Sequence, residues 1–133
     1  MRNLEQIRAR RAFAIATATS QKSENERDEY LRLSRSLPAM FQNNGLLATW
    51  AFLLSKKDKN SASLPVMEIL LAHYRDEAIE LVAAGHDSPE EVFKNQWVRQ
   101  GSSIEGPQLM KLTAEAITFS GWLKRAAEAL CDR

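Results

Sequence analysis

The sequence predicts an all-α protein, a compact single-domain helical bundle of about five to seven helices over residues 1–133. Three observations predict it: apolar residues recur every three or four positions, cap signals precede those runs, and no stretch alternates with period two. The cleanest run is Leu109, Leu112, Ala116, Phe119, Leu123, Ala126 and Leu130, whose spacings alternate between three and four as in a left-handed bundle seam. One such helix is marginal alone in water, so its stripe must be buried against other helices.

Taken in order, Asn3 caps a first helix to about Thr17, and the polar stretch 19–23 ends it. A second helix spans 24–36, with Glu24, Glu26, Asp28 and Glu29 in its first turns, where the helix dipole favours anions. Ser36 and Pro38 then read as the cap and early proline of a third helix over 37–57. Inside it lies Asn43-Asn44-Gly45, normally a hairpin signal, but its flanks lack strand alternation. Met40, Leu47, Ala51 and Leu54 keep one helical face across the glycine, so Gly45 is expected within, or at a bend of, a central helix. A mid-helix glycine costs roughly 1 kcal/mol against alanine, and close packing is the expected reason for it. Ser63 and Pro65 open a helix to about Ala84, closed by Gly85, with Met67, Leu70, Leu71, Tyr74, Ala78 and Leu81 as its stripe. Ser88-Pro89-Glu90-Glu91 starts a short helix to Trp97, and 101–107 forms a loop before the last helix.

Composition narrows the function classes. An apolar fraction of 44% with 26% charge is ordinary for a soluble globular chain, and no run approaches the roughly 18 apolar residues of a membrane span. The N-terminal stretch lacks the uninterrupted apolar core of a secretory signal, so a cytoplasmic location is expected. Cys131 is the single cysteine, which excludes an intrachain disulfide, and without a neighbouring histidine it is a poor nucleophile. The five glycines are dispersed, so no phosphate-cradling loop is present. His73 and Glu77 stand four apart, half of a carboxylate–histidine metal pattern, but a second ligand-bearing helix is missing and an ordinary helix-surface pair is expected. No catalytic residue, metal site or cofactor is therefore expected.

The charge distribution says more than its sum. Residues 1–22 carry Arg2, Arg8, Arg10, Arg11 and Lys22 against Glu5, whereas 61–98 carry Arg75 and Lys94 against seven carboxylates. Such asymmetry suits a polyanion-binding face or head-to-tail stacking of copies. Three basic clusters are candidate nucleic-acid contacts: Arg8 with Arg11, Lys56 with Lys57 and Lys59, and Lys124 with Arg125 beside Trp122. Guanidinium forks match phosphate oxygens, and Trp122 offers either a stacking platform or a bundle anchor. The alternative is a protein–protein adaptor that docks through Asp76, Glu77 and Glu80.

Leu37-Pro38-Ala39-Met40, then Asn44-Gly45-Leu46 and a helix ending in Lys56, resembles the small subunit of the Cmr complex, the type III-B CRISPR RNA-guided effector. Arg8-Ala9-Arg10-Arg11-Ala12, Glu115-Ala116-Ile117 and Trp122-Leu123-Lys124-Arg125-Ala126-Ala127 resemble the same family. The resemblance implies a non-catalytic all-helical subunit of antiviral defence whose partners are other Cmr subunits, further copies of itself and guide or target RNA, with no membrane. Arg8, Arg11, Lys56, Lys57, Lys124 and Arg125 would then supply sequence-independent, salt-sensitive RNA contacts.

Overall fold

The protein is described here by a computed structural model over residues 3–99, 104 and 106–132. Helix α1 spans Leu4–Ser20, and its cap is Asn3, whose side-chain oxygen accepts the Gln6 N–H at 3.2 Å. Helix α2 runs Glu24–Lys56, capped by Ser23 through the Glu26 N–H. The boundary expected at Ser36 and Pro38 does not exist. Pro38 lies inside α2, and Leu33, Ser34, Leu37 and Phe41 continue one buried face through it. Burial of that face outweighs the loss of one backbone hydrogen bond and the local cap signal.

The real interruption is Gly45, at φ 83° and ψ 174°. This backbone region is accessible essentially to glycine alone. A Cβ built there meets no atom within 4 Å, so the glycine serves backbone conformation and not the close packing expected of it. The break also shifts the buried face: Leu46, Thr49, Trp50 and Leu53 point inward, while Ala51 is exposed and Leu47 and Leu54 are half-buried. In a straight helix Arg32 and Lys56 would stand about 36 Å apart at 1.5 Å per residue. Instead they line one groove, so the bend at Gly45 turns the second segment of α2 back toward the first.

Helix α3 is Ser63–Arg75, nine residues shorter than the sequence predicts. Asp76 leaves helical geometry at φ −58° and ψ 134°, and its carboxylate accepts the Ala78 N–H at 2.9 Å. The Tyr74 carbonyl then accepts the Leu81 and Val82 N–H groups at 2.9 and 3.1 Å, while Glu80 takes φ 48°. An aspartate side chain that bonds its own backbone competes with helix continuation, and that competition decides the end of α3. Gly85 closes no helix.

Helix α4, Pro89–Val92, opens with the expected capping box between Ser88 and Glu91 and passes into a π-helical turn over Phe93–Trp97. Trp97 packs edge-on to Trp50 at 4.8 Å, and Trp50 Nε1–H donates to the Pro89 carbonyl at 3.1 Å. Helix α5 spans Gly106–Leu130, three residues longer at its start than its apolar seam indicates. Most of the loop expected over 101–107 lies outside the described residues, and Gly106-Pro107 already belongs to α5.

Helix α5 is the central element, in contact with α1, α2 and α3. It runs parallel to α1, since Arg8 meets Glu115 and the Ala16 carbonyl meets the Cys131 thiol. Against α2 it is held by Arg35, which pairs with Glu128 of α5 and with Asp132 just past its end. The seam residues Leu112, Ala116, Phe119, Leu123 and Ala126 are buried, whereas Leu130 emerges. The all-α bundle expected from the sequence is therefore present, with five α-helices among the described residues.

The two α2 and α5 glycines are expected to respond oppositely to alanine. Gly45→Ala forces a side chain into positive φ and lowers unfolding free energy by about 1–3 kcal/mol. Gly121→Ala, in helical geometry with open space around it, raises it by about 0.5–1 kcal/mol. Urea denaturation at constant m-value checks both signs.

Candidate functional site: an internal ion network and an open basic groove

Helical spacing puts Arg8 and Arg11 on one side of α1, facing α3 and α5. Arg8 grips Glu115 of α5 in a two-point fork, Nε to Oε2 at 2.7 Å and Nη2 to Oε1 at 2.8 Å. Glu115 Oε2 also accepts from His73 Nε2 of α3 at 2.8 Å. Arg11 then donates from Nη1 to His73 Nδ1 at 2.7 Å and from Nη2 to Asp76 Oδ2 at 2.6 Å. Arginine has donors and no acceptor, so Nδ1 must be the unprotonated nitrogen and Nε2 must carry the hydrogen. Two cations, two carboxylates and a neutral imidazole make the chain Arg8–Glu115–His73–Arg11–Asp76 charge-balanced.

His73 is 0% exposed and its ring stacks on Phe119 at 4.1 Å and 7°. The expected helix-surface histidine is thus a core residue, and Glu77 falls beyond the end of α3, so the two do not share a helix face. Both ring nitrogens are already committed. Burial pushes the Glu115 carboxyl up, but the hydrogen bonds from Arg8 and His73 outweigh it and hold its pKa at about 2. Asp76 is likewise held below the usual carboxylate range, first by Arg11 and then by the Ala78 N–H. The acidic face envisaged for an adaptor therefore gives Asp76 to the interior network.

A second feature opens on another part of the surface. The first segment of α2 contributes Arg32, Leu33, Ser36 and Met40, the second contributes Phe52 and Lys56, and Lys59, Asn60 and Ser63 complete a groove of about 370 Å³. Arg32, Lys56 and Lys59 are exposed, and among the described residues no carboxylate lies within ion-pair distance of them. Lys56 Nζ stands 5.8 Å from the centre of the Phe52 ring, which is 42% exposed.

The six cations singled out in the sequence thus divide. Arg8 and Arg11 belong to the ion network, Lys56 faces the groove, and Lys57 pairs with Glu90 at 3.0 Å. Lys124 and Arg125 stand on α5, half-buried and exposed, and line neither feature. Trp122 is half-buried against the core, the position of a bundle anchor. Sequence reasoning missed the pairing of Arg32 with Lys59 across the groove, because those positions are 27 residues apart and meet only through the Gly45 bend. It also missed Glu115 and set His73 on the helix surface, although a signal for their burial existed. His73 follows Leu70 by three and Glu115 follows Leu112 by three, which sets both on apolar stripes.

These features define a small all-helical protein whose part-buried charges hold helices together and which carries three exposed cations, Arg32, Lys56 and Lys59, around one open groove. Among the described residues no cluster of three or more histidine, cysteine, aspartate or glutamate side chains is placed to hold a metal ion. None of the described helices is long and apolar enough to cross a membrane. Residues 4–130 match the family described as CRISPR-associated protein (Cas_Cmr5), and the chain belongs to that family, the small subunits of Cmr complexes. It is accordingly a CRISPR-associated Cmr subunit that associates with other subunits of that complex.

Removing one partner from the network strands a charge. Glu115→Ala is expected to cost about 2–4 kcal/mol, and adding Arg8→Met to it should recover part of that loss, as read from a double-mutant cycle in urea. The pH dependence follows from the depressed carboxyl. Its folded pKa of about 2 lies below the ordinary 4.5, so its stabilisation is complete above pH 4.5 and is lost as the pH falls toward 2. Unfolding free energies of wild type and Glu115→Gln should therefore converge across that window.

Proposed function

We propose that the protein is a non-catalytic, cytoplasmic small subunit of a type III-B Cmr effector in antiviral defence, one that helps hold target RNA or the guide–target duplex. Copies would stack with one another and with the backbone subunits as one domain over residues 1–133. The observation that carries the RNA role is the groove of Arg32, Lys56 and Lys59, three cations without a carboxylate partner among the described residues of a chain of the Cmr family. Lys124 and Arg125 on α5, and Lys57 beside its partner Glu90, would be further phosphate contacts away from the groove lining, whereas Arg8 and Arg11 act through the fold they lock. Contacts of this kind read phosphates and not base sequence, so retention should fall steeply with salt.

Reversal of Lys56 and Lys59 to glutamate should weaken target-RNA retention by the assembled complex and flatten its log–log salt dependence by about 1.4 for two lost single-strand phosphate contacts. The same charge change at exposed Lys22 and Lys111 should leave both nearly unchanged. Equal effects from the two pairs would mean that net charge, not the groove, governs retention.

A further inference from the structure

The groove holds more than charge. Leu33, Met40 and Phe52 line it together with Arg32, Lys56 and Lys59, and no carboxylate among the described residues does. Phe52 is an exposed aromatic ring with a cation beside it, in a cavity of about 370 Å³, within the size range of small-molecule and cofactor sites. We propose that this groove seats one unstacked base of single-stranded RNA against the Phe52 ring, with the flanking phosphates held by Arg32, Lys56 and Lys59. The inference rests on the RNA-holding role above and adds a binding mode to it.

Two physical points favour a nucleotide over an acidic peptide, the other anion the cations would attract. An apolar, aromatic lining among cations matches a ligand that carries a π-face between two negative charges, and a nucleic-acid strand repeats that unit. Lys56 Nζ stands over the ring, 5.8 Å from its centre, so a base takes that place as Lys56 moves to a phosphate. At about 370 Å³ the groove is also too small to enclose a helix of RNA. Ser36 and Asn60 already bond backbone through their side chains, and the Ser63 hydroxyl is buried, so no side-chain set is aimed at a base edge and little sequence preference is expected.

The test uses the full-length protein and a single-stranded 12-nucleotide RNA carrying one 2-aminopurine, read by fluorescence quenching and by affinity. Quenching is expected, and Phe52→Leu should abolish it and weaken binding by about 5- to 100-fold with the salt slope unchanged. Phe52→Tyr, which retains the ring, should bind like wild type. Phe52 is exposed, so these variants fold, as circular dichroism would verify. Full affinity and quenching in Phe52→Leu would overturn the base seat, as would no quenching of wild type at any concentration or equal affinity for a poly-glutamate peptide. Loss of affinity on reversing Lys56 and Lys59 in the presence of an unaffected Phe52→Leu variant would reject the base seat and leave the phosphate-holding role standing. No effect from either set would reject both.

Discussion

The fold depends on the hydrogen-bonded chain that runs from Arg8 through Glu115, His73 and Arg11 to Asp76, because it is the polar contact that α1, α3 and α5 share. Apolar packing would let α1, rich in alanine, slide or rotate on α5, since alanine faces give few distinct knobs. The fork between Arg8 and Glu115 admits one register, and the imidazole between Glu115 and Arg11 fixes a second helix to the first two. Desolvation is the cost of such a network, and its return is a unique arrangement. The depressed carboxyls of Glu115 and Asp76 show that the hydrogen bonds win that balance.

A second constraint acts through backbone geometry. Gly45 lets α2 turn so that Leu37 and Phe41 before it, and Leu46, Trp50 and Leu53 after it, bury against one core. Trp50 then carries α4 and the following turn by its bond to Pro89 and its contact with Trp97. The same turn brings Arg32 and Lys56 to one groove. Packing and surface chemistry are therefore coupled at one residue.

These two devices sort the charges of a nearly neutral chain. Arg8 and Arg11 of α1, which look available in the sequence, are spent on the ion network, and Lys57 is paired with Glu90. What stays unneutralised around Phe52 is a small part of the basic content. In this Cmr subunit that residual charge is what the proposed contact with a polyanion would use.

The sequence by itself determined the helical class, the buried stripe of α5, the caps at Asn3 and Ser88, and the family, because each depends on residues close together in the chain or on a pattern spread along all of it. It also located Gly45 as anomalous. Only the tertiary structure decided that Gly45 bends α2 for conformational and not packing reasons, that Pro38 is carried through, and that Asp76 stops α3. It alone decided which cations remain free. A charge is neutralised or not by partners such as Glu115, 107 positions from Arg8, and no local pattern reports a contact between residues that far apart.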